Sequence, residues 1–242
     1  MVLPVLYEDD DLIVVNKSSG LLVHRSSIDR HAQEFALQAV RDQTGRLVYP
    51  VHRLDRATSG ALIFAFSSSV ARFFAAEFAG GRIGKTYLAV VRGFSPVEAV
   101  VDHPLKEELD AKSDGRARTN KPAQSAVTIL STVANHEFQI SVDKFPTARY
   151  SLVRAVPKTG RKHQIRRHLR HLGHPIIGDV RYGSGKHNRF FRDLLKVNRL
   201  LLACTDISFQ HPKGNRTVRV QAPLASDFRR VTDLLGWSGH ID

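Results

Sequence analysis

An α+β fold with a mixed, mostly antiparallel sheet is what this sequence predicts, on three observations. Short runs rich in Val, Ile, Leu and aromatic residues recur along the 242-residue chain, each bounded by Gly, Pro, Asn, Asp or Ser. Helical patterns are fewer than strand patterns and rarely alternate with them, which disfavours a doubly wound parallel sheet. The chain is 42% hydrophobic and long enough to bury a core, so disorder is excluded as its main state.

The elements follow in order. Residues 12–15 and 61–66 read as strands. Ser67 to Ser69 can cap a helix running to Phe78, with Val70, Phe74 and Phe78 on one face and Gly80-Gly81 as the stop. Strands are expected at 86–92, 126–133, 137–142 and 150–156. A helix is expected at 161–172, with Ile165, Leu169 and Leu172 on one face and basic residues on the others. Strands at 206–210 and 217–221 precede a closing helix at 225–235. Residues 110–122 and 183–188 read as polar surface loops, and neither is long enough for an interdomain linker. One catalytic domain spanning 1–242 is the expectation.

Charge narrows the function. Lys and Arg number 36 against 23 Asp and Glu, a net charge of +13. Residues 158–199 hold twelve Lys or Arg against Asp179 and Asp193, whereas 98–114 is acidic. A basic side facing a polyanion is expected, with nucleic acid ahead of a membrane surface. The single Cys204 allows no internal disulfide and fits a reducing cytoplasm. No apolar run approaches a membrane span, and the start lacks the pattern of a secretory leader.

The chemistry concentrates in His52-Arg53-Leu54-Asp55-Arg56-Ala57-Thr58-Ser59-Gly60. Asp55 lies between two arginines, whose charge favours its carboxylate. Such a group can act as nucleophile or base. By spacing alone, an Arg–Asp pair at a structural turn is the commoner explanation.

The whole string resembles the HRLDxxTSG motif of the RluA-type pseudouridine synthases. Asn16-Lys17-Ser18-Ser19-Gly20 with Val23-His24 is similar to the family's N-K-P-x-G…V-H opening, with Ser18 in place of proline. Lys85-Thr86-Tyr87 resembles its K-x-Y strand start, Thr159 to Arg166 its TGRxHQ-[IL]-R motif, and His174 to Asp179 its HPIxGD segment. The matches run in order over nearly the whole chain.

The resemblance implies an RNA pseudouridine synthase fold, with sheet, helices and loops framing a central cleft. It implies Asp55 as the catalytic carboxylate, Tyr87 as the stacking platform for the target base and Arg166 as the partner of Asp55. It implies that Arg53 opens the RNA and fills the vacated space. A uracil buried in RNA has to be flipped out before its C5 can react, which suits an aromatic platform. Arg161, Lys162, Arg167, Arg170 and Arg192 are expected to form an RNA-contacting basic face.

Residues 23–30, 41–43 and 160–172 look most like the tRNA-modifying branch acting at position 65, with ribosomal RNA the second choice. An S4-like domain before the motif at Asn16 is not expected. No cofactor is expected, because the product is an isomer of the substrate. His163, His168, His171 and His174 match no zinc spacing, so they are expected on a helix facing phosphates rather than around a metal. A monomer without an obligate protein partner is expected. The family's L-L-H-A strand reads Leu201-Leu202-Ala203-Cys204 here, so one histidine is missing. Two other classes stay open: a nucleoside hydrolase, which would release free base, and a silent RNA-binding module, which would not need Asp55, Tyr87 and Arg166 together.

Overall fold

A computed structural model describes residues 1–24, 34–107 and 122–241. The described residues form two compact units, each assembled from separate stretches of chain. The first comprises Met1–Lys85, Pro104–Gln124 and Cys204–Pro223; the second comprises Thr86–His103, Ser125–Ala203 and Leu224–Asp242.

The first unit opens with β1 (Val5–Glu8) and β2 (Leu12–Lys17), then α1 (Ala36–Thr44), β3 (Tyr49–Pro50), β4 (Ser59–Ala65) and α2 (Ser68–Ala79). The chain passes to the second unit within β5 (Gly84–Arg92) and continues through β6 (Glu98–Asp102), β7 (Val127–Phe138), β8 (Ala148–Pro157), α3 (Gln164–His171) and α4 (Gly185–Leu195). It returns within β9 (Leu202–Gln210), adds β10 (Thr217–Gln221), and ends in the second unit with α5 (Ser226–Leu234). In the first unit the strand order is β1-β2-β4-β9, with β10 on β9 and β3 on β4. In the second it is β5-β8-β7-β6. The ladders β1/β2, β2/β4, β5/β8, β7/β8, β6/β7 and β9/β10 are antiparallel. The α+β expectation holds.

Each unit has an apolar centre. In the first, Leu12 to Val15 and Ala61 to Ala65 are wholly buried, so β2 and β4 are covered on both faces. That is why they read as continuous apolar runs rather than alternating ones. Helix α2 begins where expected, with the Ser67 hydroxyl accepting from Val70 N–H at 3.3 Å. Phe74 from its buried face meets the edge of Phe209 at 5.2 Å. The second core packs Leu88, Val90, Tyr150, Phe191, Phe228 and Trp237.

Four sequence expectations need correction. Residues 183–188 are not all loop, because α4 starts at Gly185. Its buried His187, Phe191 and Leu195 recur every fourth residue, and their burial outweighs the weak helix propensity of the glycine-rich start. Residues 137–142 form no separate strand; β7 runs unbroken to Phe138 with a register shift between Thr132 and Ala134, and ends there. The basic helix is shorter than predicted, Gln164–His171. His168 does not face solvent but lies in the interior. Of the loop expected at 110–122 all but the last residue, and of 23–30 all but the first two, fall outside the described residues.

Candidate active site

The motif around Asp55 is a turn anchored at both ends. Leu54 is buried before it, and Thr58, Ser59 and Gly60 are buried after it. Asp55 itself is half-buried between exposed Arg53 and Arg56, and its carbonyl accepts Thr58 N–H at 3.0 Å. Gly60 adopts φ +113°, and a Cβ there would lie 2.1 Å from the Cys204 carbonyl oxygen, so only glycine lets the turn enter β4 beside β9.

The Asn16-to-Gly20 segment sutures this turn. Lys17 is fully buried at the end of β2, and its ammonium donates to the carbonyls of Leu21 at 2.8 Å, Ser18 at 2.9 Å and Arg56 at 3.2 Å. Three carbonyl acceptors match the three donors of an ammonium and make its burial tolerable. Gly20 N–H also reaches the Arg56 carbonyl at 2.8 Å, Arg56 Nε returns to the Gly20 carbonyl at 2.9 Å, and the Ser19 hydroxyl donates to the Ala57 carbonyl at 2.7 Å. Gly20 turns with φ +89°, so the chain needs no proline at Ser18 to bend here.

His52 closes the other side. Its Nε2 accepts Ile63 N–H at 3.0 Å, and its ring stacks on Phe78 at 4.9 Å. Burial, helped by the nearby Lys85 ammonium, pushes its pKa down to about 3. The ring is therefore a neutral acceptor that supports β4 from the side.

The second unit holds Tyr87, Arg166 and the basic residues. Tyr87 is buried near the start of β5, opposite Ala155 of β8. Arg166 is buried on α3 and donates through Nε and Nη2 to the Asp179 carboxylate at 2.7 and 2.9 Å. Asp179 also accepts the N–H groups of Arg181 at 2.9 Å and Tyr182 at 3.0 Å. Burial opposes its ionisation, but Arg166 and these backbone donors prevail and hold its pKa below the usual carboxylate range. The Tyr182 ring lies 5.0 Å from the Arg166 guanidinium, and its hydroxyl meets His163 Nδ1 at 2.9 Å.

The lead into α3 is pinned with equal care. His163 sits at φ +56°, a costly conformation for a histidine, directly before the helix. Gln164 holds it there. Its amide oxygen accepts from Thr159 at 2.7 Å and Arg161 N–H at 3.1 Å, while its amide nitrogen donates to Val127 and Thr128 of β7 at 3.0 and 2.9 Å.

Of the expected basic face, Arg161, Arg170 and Arg192 are exposed, and Lys162 and Arg167 are half-exposed. Arg161 reaches the Ser125 carbonyl at 3.1 Å, and Arg192 pairs with its neighbour Asp193 at 3.2 Å. The four histidines are held by protein groups, with His103 shared between two of them. His168 bonds Thr128 Oγ1 and the His103 carbonyl, His171 stacks on His103, His174 meets the Arg92 carbonyl and His163 meets Tyr182. Ligand-type atoms gather elsewhere, in Asp9, Asp11 and His211. There Lys213 pairs with Asp11 and Arg216 with Asp9, so protein cations already balance the carboxylates, and His211 Nε2 meets the Asp9 carboxylate at 2.8 Å.

Lys17, Ser19, Asp179 and Tyr182 do not stand out as site residues from sequence. The signal for Lys17 and Asp179 is present in the N-K-x-x-G and H-P-I-x-G-D strings, which mark these positions without saying what they touch, whereas Ser19 falls on an unspecified position of the first and Tyr182 lies outside both.

Asp55 and its turn belong to the first unit, and Tyr87 and Arg166 belong to the second. The sequence profile of the RNA pseudouridylate synthase family matches residues 11–171, and the chain belongs to this family of isomerases. It is 46% identical over 235 residues to the tRNA pseudouridine synthase C of Vibrio cholerae, covering 97% of this chain and 96% of that one. The tRNA pseudouridine synthase C of Pasteurella multocida is 45% identical, covering 98% of both chains. Among solved structures, the human RNA pseudouridylate synthase domain containing 4 superposes with a TM-score of 0.73 at 23% identity, over 96% of this chain and 93% of that one, which establishes the shared fold.

Proposed function

We propose that this chain is a tRNA pseudouridine synthase that isomerises a uridine at position 65, and that its two units serve as one catalytic domain. The observation that carries it is the Asp55 turn, held by Lys17, Ser19 and Gly20, within a chain resembling tRNA pseudouridine synthase C over its full length. The target uridine leaves its stack, its ring rests on Tyr87, and Arg53 takes the vacated space. Asp55 drives cleavage of N1–C1′ and the base rejoins through C5, which then gives up its proton. Arg166 pairs with Asp55 to keep it ionised in the closed pocket. The basic residues around α3, with Arg192 on α4, neutralise tRNA phosphates. The enzyme acts as a cytoplasmic monomer.

Tritium release from tRNA carrying 5-tritiated uridine tests this proposal. Asp55→Asn and Asp55→Ala are expected to abolish release while leaving tRNA affinity within about twofold, because phosphate contacts carry the affinity. Appreciable turnover by Asp55→Ala overturns the assignment. Mapping pseudouridine in RNA from a deletion strain, with add-back, identifies the nucleotide and separates tRNA from ribosomal RNA.

A further inference from the structure

The second unit contains a cleft of about 410 Å³ at the far end of β5, lined by Arg92, Phe94, Asp143, Phe145, Arg149 and His187 among others. It is not the place of Tyr87. Arg92 lies five positions beyond Tyr87, roughly 17 Å along a strand, and odd and even positions face opposite ways.

Three features of the cleft point to a ligand. Phe94 and Phe145 are 40% and 63% exposed, and the Arg149 guanidinium lies 5.1 Å from the Phe94 ring centre, giving a flat aromatic and cationic platform. Arg92, Arg149 and Lys186 keep 34%, 56% and 64% of their side chains exposed although they are paired, Asp143 with Lys186 at 2.6 Å and Arg92 at 3.8 Å, and Glu137 with Arg149 at 3.0 Å. Finally, His187 is only 4% exposed, and its Nε2 has no partner among the described residues, although Nδ1 meets the Tyr150 hydroxyl at 2.8 Å. Burial and then Arg92 push its pKa down to about 4, so the ring stays neutral with one polar atom unmatched.

We propose that this cleft seats one nucleobase of the RNA substrate other than the target uridine. The base is extruded from its stack and laid against Phe94 and Phe145. Its phosphate lies by Arg92 and Arg149, and its polar edge faces His187. Stacking rings beside guanidinium groups are the means by which proteins hold unpaired bases, and the cleft falls within the roughly 300–1,000 Å³ of small-ligand sites. An apolar peptide would leave the cations unused. The proposal rests on RNA being the substrate.

Phe145→Ala is the first variant, since an exposed ring can be removed without harming the fold; Phe94→Ala is the second. Each is expected to weaken tRNA binding about 5- to 100-fold, the loss of one stacked base, with single-turnover rate at saturating enzyme unchanged. A scan of tRNAs with single abasic sites then locates the base. One site outside the target uridine should weaken wild-type binding by a similar factor, and should cost nothing further in Phe145→Ala. Unchanged affinity in both variants, or abasic penalties that all persist in Phe145→Ala, overturns the proposal. So does saturable binding of UMP, CMP, AMP or GMP that leaves tRNA affinity untouched, which would assign the cleft to a free nucleotide. A wild-type enzyme that binds tRNA without turnover would refute the assigned reaction and leave this test intact.

Discussion

Arg166 and Asp179 show how one residue sets another's geometry. The two-point contact fixes the plane of the guanidinium, and the backbone N–H groups of Arg181 and Tyr182 fix the carboxylate in turn. Arg166→Lys keeps the charge and loses the planar grip. Turnover is expected to fall at least tenfold with tRNA affinity within about twofold. Asp179→Asn keeps the shape and its oxygen acceptor, but leaves the Arg166 charge unbalanced in the interior. Breaking a buried pair this way costs about 3–5 kcal/mol, so denaturation midpoint and single-turnover rate should fall together. Near-normal rates in both variants would mean that Arg166 has no part in the reaction. The Asp55 string and the arginine of α3 are readable because their residue types and order are distinctive. The contacts of Asp179 with Arg166 and of Lys17 with the Arg56 carbonyl are not readable, since they span 13 and 39 residues and no local pattern records a contact at that distance.

Helices and strands are legible where local signals agree. Helix α2 carries a serine cap, an apolar stripe and two glycines, and strand β10 matches residue for residue. Strands β1, β3 and β6 are harder to foresee, because their apolar runs are no longer than three residues and they exist through pairing with β2, β4 and β7. Helix α4 is hidden by Gly183 and Gly185, although the spacing of His187, Phe191 and Leu195 could have exposed it. In α3 a histidine expected to be polar surface is core, satisfied by Thr128 and the His103 carbonyl. The outward residues of these two helices carry their own prediction. Neutralising Arg167, Arg170 and Arg192 together should weaken tRNA binding. The slope of log K against log salt should shrink by about 0.7–0.9 for each phosphate that is no longer neutralised. An unchanged slope, measured by filter binding across a salt series, would place the RNA on other residues.

The whole molecule carries a pH dependence written by its interior. His52 and His187 have pKa values pushed down to about 3 and about 4, and that of His168 is lowered too, burial being the main cause in each. In the unfolded chain these rings take up protons near pH 6.5; in the folded protein all three do so at lower pH, His52 and His187 only well below it. Stability is therefore complete above about pH 6.5 and is lost as pH falls, by up to about 1.4 kcal/mol per pH unit for each of His52 and His187. Urea midpoints at pH 7.5, 6 and 5 should fall in that order, and His52→Gln should flatten the trend. Equal midpoints at all three would contradict it. Cys204 has a consequence of a practical kind. The chain's single thiol is wholly enclosed, with its backbone against Gly60 and its sulfur turned to the Asp206 carbonyl. A cysteine introduced at Arg192 or Phe145 would then be the one position a maleimide dye can reach, so fluorescent reporters can be attached to the natural sequence without first deleting a native sulfur.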